Sequence, residues 1–119
     1  MEIYYYSFRL SINLEINEVV ELLKKIFPDF KSYNGSKKIF TAQNHYIEVS
    51  ENEEYDETET KNEEVGYLYY KSDIDFNVIN KYLTSSENEM IFSKFIKNKF
   101  IEYSINQIEI LADFEHLID

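Results

Sequence analysis

The sequence predicts a single α+β domain. Three observations carry that expectation. Several stretches alternate apolar and polar residues at period two, two stretches repeat apolar residues at helical spacing, and only two glycines and one proline interrupt 119 residues. A chain of this length has room for one hydrophobic core and not for a second, so the domain is expected to span residues 1–119.

Residues 2–12 read as the first strand. Tyr4, Tyr6, Phe8, Leu10 and Ile12 share one face, while Ile3, Tyr5, Ser7, Arg9 and Ser11 share the other. Asn13 or Asn17 is then placed to cap a helix whose apolar side is Val19, Leu22, Leu23, Ile26 and Phe30. Glu18 and Glu21 near its start and Lys24 and Lys25 near its end suit the helix dipole. Pro28 disfavours helical geometry at the preceding residue, so the helix should stop at Phe27. Asn34-Gly35 marks a turn.

Residues 37–50 read as strand again, with Ile39, Thr41, His45, Ile47 and Val49 on one face and Phe40, Ala42 and Tyr46 on the other. A tight turn at Gln43-Asn44, dividing this stretch in two, is the alternative. Residues 51–64 have no apolar periodicity and read as a mobile acidic loop. Residues 65–78 alternate once more through Leu68, Tyr70, Ile74, Phe76 and Val78; beyond Ser72, a short helix capped by Asp75 and using Phe76, Ile79 and Leu83 competes with the strand. Ser86 with Glu89 fits a capping box, followed by the apolar stripe Met90, Ile91, Phe92, Phe95, Ile96 and Phe100. Residues 107–115 form the last strand, with Ile108, Ile110, Ala112 and Phe114 inward and Gln107, Glu109, Asp113 and Glu115 outward. The order β-α-β-β-α-β predicts a ferredoxin-like plan: an antiparallel sheet with both helices on one face, and the acidic loop between the second and third strands.

Charge separates the function classes. Twenty-three acidic and twelve basic residues leave a net charge of −11. Residues 1–50 are balanced at six acids and six bases, whereas residues 51–64 hold eight acids and one lysine. Such a surface repels phosphate backbones and anionic membranes, and it attracts a basic protein. No apolar run is long enough to span a bilayer and no signal peptide is recognisable, so a cytoplasmic location is expected. With no cysteine there is no disulfide, thiol nucleophile or thiolate metal site.

Catalytic signals are sparse. Gly35 and Gly66 are the only glycines, so no glycine-rich phosphate cradle exists, and no G-x-S-x-G elbow is present. His45 and His116 are far apart in sequence, which argues against zinc and leaves both imidazoles in structural or solvent-exposed roles. Asp73-Ile74-Asp75-Phe76-Asn77 copies the opening of a calcium-binding EF-hand loop, but Val78 stands where the turn needs glycine and Thr84 where it needs a bidentate glutamate. Neither a metal nor another cofactor is expected.

The expected function is that of a small acidic, non-catalytic inhibitor of the immunity-protein type, which neutralises a basic partner such as a nuclease toxin. Glu53, Glu54, Asp56, Glu57 and Glu59, anchored by Tyr55, would bind that partner, with Glu109, Asp113 and Glu115 extending the surface. A plain solvated loop is the simpler account of the same charge run. Two alternatives remain. One is a phage-type DNA mimic that blocks a defence enzyme. The other is a small-molecule-binding domain, monomeric or dimeric, using a sheet face lined by Tyr4, Tyr6, Tyr67, Tyr69 and Tyr70.

Overall fold

The computed structural model describes residues 7–53 and 70–103, and residues 108–111 as backbone. The elements are β1 (Ser7–Ile12), α1 (Ile16–Ile26), β2 (Lys31–Ser32), β3 (Ile39–Ala42), β4 (His45–Glu51), β5 (Ser72–Val78), a 3₁₀ turn (Lys81–Leu83), α2 (Ser86–Glu102) and β6 (Ile108–Leu111). All strand pairings are antiparallel, in the order β2-β3-β4-β5-β1-β6. The α+β class therefore holds: among the described residues, an antiparallel sheet and two α-helices. No described helix is long and apolar enough to cross a membrane.

The sheet has more strands than the four expected. The stretch 37–50 is a hairpin, with Gln43 and Asn44 both at positive φ (50° and 65°) in a two-residue turn. The turn changes which residues share a face. In an unbroken strand Ala42 and His45 would lie on opposite faces, but in the hairpin they are direct partners, as are Phe40 and Ile47. Phe40 and Ala42 are therefore buried with His45, Ile47 and Val49, not opposite them. Asp29 braces this turn: its two carboxylate oxygens accept from the Gln43 backbone N–H (2.9 Å) and side-chain amide (3.0 Å). Beyond Ser72 the strand reading prevails over a helix capped by Asp75.

One core joins both helices to the inner face of the sheet. Phe8, Leu10 and Ile12 of β1, Ile74 and Phe76 of β5, Val19 and Leu23 of α1, and Ile96 and Phe100 of α2 all belong to it. Phe8 and Phe76 stack at 4.8 Å between ring centroids. Helix α1 stops before Pro28 as expected, with Phe27 extended. Its N-cap is Glu15, not Asn13 or Asn17; the Glu18 carboxylate accepts from the Glu15 backbone N–H at 3.3 Å. The Asn34-Gly35 turn forms, with both residues at positive φ (51° and 75°).

Helix α2 departs furthest from expectation. Its N-cap is Ser85, whose hydroxyl accepts from Asn88 N–H at 3.1 Å, so Ser86 and Glu89 do not form a capping box. The buried face is Glu89, Ser93, Ile96 and Phe100. Ile91 and Phe95, assigned to the core by the apolar stripe, are 60% and 44% exposed. The helix is rotated so that a glutamate faces inward.

Candidate functional site

Two clusters of charge stand out, one on each side of the sheet. On the outer face, Arg9 of β1 meets two carboxylates of β5. Its Nε donates to Asp75 Oδ1 at 2.7 Å and its Nη2 to Asp75 Oδ2 at 3.1 Å, while Asp73 Oδ2 lies 3.7 Å from Nη1. The fork-to-fork geometry follows from register, since Arg9 and Asp75 are Cα partners. The Asp75 hydrogen bond is the main cause that raises the guanidinium above its ordinary value. Ser11 donates its hydroxyl to Asp73 Oδ1 at 2.7 Å. On the other flank of β5, Glu48 is the Cα partner of Asp75 and is exposed. Three carboxylates thus face one cation, and two negative charges remain unbalanced.

The acidic stretch leaves the sheet beside this face. Glu51, expected in the loop, is the last residue of β4 and pairs with Ser72. The exit is closed by Asn52, whose backbone N–H donates to Lys71 O and whose side-chain amide donates to Tyr70 O, each at 2.8 Å. The next register row runs Ser50, Asp73, Ser11 and Glu109 across β4, β5, β1 and β6. Of the residues predicted to bind a partner, Glu53 is exposed at this exit and Glu109 holds the position opposite Ser11. Glu54, Tyr55, Asp56, Glu57, Glu59, Asp113 and Glu115 lie outside the described residues, as do Tyr4, Tyr6, Tyr67 and Tyr69. Glu48, Asp73 and Asp75 were missing from the predicted site. Their alternation with apolar residues was legible, but the pairing that gathers them on one face was not.

The second cluster is in the core. His45 Nε2 lies 2.6 Å from Glu89 Oε1, and both side chains are under 5% exposed. His45 Nδ1 lies 2.6 Å from the Gln43 carbonyl, which can only accept, so Nδ1 carries a hydrogen. Thr84 donates its hydroxyl to Glu89 Oε2 at 2.8 Å. Phe92 stacks on the imidazole at 4.5 Å, and Phe8 and Phe76 meet it edge-on. Every polar atom of the pair is thus used, as burial requires. An imidazole beside a carboxylate is catalytic chemistry only where substrate can reach it. Neither the depression beside Asp29, Gln43 and Ile79 nor the one along Leu14, Glu18 and Leu22 is lined by His45 or Glu89.

No family model, curated protein or solved structure matches this chain. Its function is therefore read from the geometry above.

Proposed function

We propose that this protein is a small acidic, non-catalytic inhibitor that binds a basic protein, such as a nuclease toxin, as immunity proteins do. The observation that supports it best is the gathering of Glu48, Asp73 and Asp75 on the outer sheet face, one register row from where the acidic stretch 51–64 departs. A nuclease cleft is basic because it holds phosphates, and a carboxylate-rich surface can occupy it in their place. Charge of opposite sign speeds the encounter and fixes orientation more than it adds affinity. The underlying plan is read as ferredoxin-like, with β4, β5, β1 and β6 as the four-strand unit and β2–β3 as an added edge hairpin.

A second reading has its own support. Asp73 and Asp75 stand two residues apart on a paired strand, a fixed spacing of partly covered carboxylates beside exposed Glu48 that suits a DNA mimic directed at a defence enzyme.

The test is affinity capture from native lysate at low and moderate salt. It compares wild type with two variants, one neutralised at Glu53, Glu54, Asp56, Glu57 and Glu59, the other at Glu48, Asp73 and Asp75. A basic nuclease that is captured by wild type, inhibited by it and released by salt supports the proposal, and the variant that loses it locates the surface. A nucleic-acid-guided enzyme in its place supports the second reading. Capture that ignores both sets of substitutions, or no basic partner at all, overturns the electrostatic mechanism.

A further inference from the structure

We propose that the His45–Glu89–Thr84 chain is an acid-sensitive latch that fastens the N-terminal half of α2 to the sheet. The two halves of the helix bury different chemistry. Its buried residues are Glu89 and Ser93 in the first half, then Ile96 and Phe100 in the second. Around the first half Leu83 is 71% exposed, Tyr82 85% and Ile91 60%, while Met90 and Phe92 are partly buried against the core, Phe92 on the His45 ring. The second half is thus held by buried apolar side chains alone, whereas the first also depends on the bond from Glu89 to His45.

Counting hydrogens shows why that bond responds to acid. One hydrogen sits on Nδ1 and points to the Gln43 carbonyl; a second lies between Nε2 and Glu89 Oε1. Wherever that second hydrogen resides, the pair is neutral as a unit. A further proton makes the pair cationic inside a box of Phe8, Phe76 and Phe92. If it binds Oε2, it also meets the Thr84 hydroxyl that now donates there. An uncompensated charge in such surroundings is strongly disfavoured. No other titratable group among the described residues bonds either member. Of the charges on the packed elements, Glu18, Glu21, Lys24 and Lys25 of α1, Glu87 and Lys94 of α2, Glu48 and Glu51 of β4 and Lys81 of the 3₁₀ turn are exposed, Lys97, Lys99 and Glu102 lie in the second half of α2, and Arg9 of β1 pairs with Asp73 and Asp75 of β5 on the outer face. The strain is relieved when the first turns of α2 lift away and the new charge reaches water. Ile96 and Phe100 stay in place.

Hydrogen exchange on the full chain tests this, with rates corrected for the intrinsic effect of pH. On acidification, amides of residues 86–93 are expected to lose at least about tenfold in protection before those of residues 8–12 and 74–76 change. A His45→Leu/Glu89→Met variant, which has no proton to gain, is expected to lose this selective step. Parallel loss in all three segments, or the same step in the double variant, overturns the latch. Should that variant not fold, the wild-type protein still decides: the signals of the hydrogen on Nδ1 and of the one shared by Nε2 and Glu89, slow to exchange at neutral pH, must vanish together with the protection of residues 86–93. Their survival through that loss overturns the proposal.

Discussion

Arg9–Asp75 and His45–Glu89 are both charge-capable pairs that join separate elements, yet their surroundings give them different roles. Arg9 is 47% exposed at its side chain, and its bidentate bond is formed in competition with water. Such a pair adds little to stability, and its main effect is on the electrostatic pattern of the outer face. His45 and Glu89 have no water to fall back on, so each exists in the core only because the other does. The same donor and acceptor chemistry therefore shapes a surface on one side of the sheet and dictates the rotation of a helix on the other.

The sharpest way to break this comparison is to remove one buried partner. Glu89→Ala or His45→Ala is expected to cost about 3–5 kcal/mol in urea unfolding, because a polar group is left stranded in the core. The His45→Leu/Glu89→Met variant should recover most of that loss. A single variant costing less than about 1 kcal/mol would place the pair in the same class as an exposed one. Next in size is the cap of the same helix: Ser85→Ala should cost about 1 kcal/mol by the same measurement, since it leaves Asn88 N–H without its acceptor. Arg9→Ala comes after, expected to cost no more than about 1 kcal/mol. It should also speed association with a basic partner in stopped-flow mixing, because Asp73 and Asp75 lose their counter-ion. A slower association would count against that face as the docking surface.

The smallest effect concerns Asp29. Its carboxyl is held below its ordinary value, chiefly by the Gln43 backbone N–H and then by the Gln43 side chain. A carboxyl lowered by folding contributes stability above its unfolded value and loses it as pH falls through the folded one. Asp29→Asn should therefore flatten the acid side of the urea-midpoint profile slightly, and leave it otherwise parallel to wild type. An unchanged acid limb would mean that the bond to the turn adds nothing to folding.

Much of the fold was legible in local pattern. Alternation located β1 and β4 and offered β5 as one of two readings, helical spacing and Pro28 bounded α1, and Asn34-Gly35 marked its turn. The split at Gln43-Asn44 was visible only as an alternative, because neither residue is glycine and the stretch alternates through it. The candidate site was legible in part. The acidic composition pointed to the stretch around Glu53 but could not bring in Glu48, Asp73 and Asp75, which come together through pairing between β4, β5 and β1.

Glu89 shows where sequence reasoning gives way to tertiary structure. Along the chain it is a polar residue three positions after a serine, and the apolar residues that follow pull the expected helix face toward Ile91 and Phe95. By itself the sequence determined the class of fold, the approximate strands and helices, and the excess of negative charge. These depend on residues close in the chain and on composition. Tertiary structure alone decided which residues face one another: the parity of β3 against β4, the carboxylates around Arg9, and the rotation of α2 that buries Glu89. Each depends on a partner supplied by a distant segment, and the free energy of a buried charge is set by that partner rather than by its neighbours in sequence.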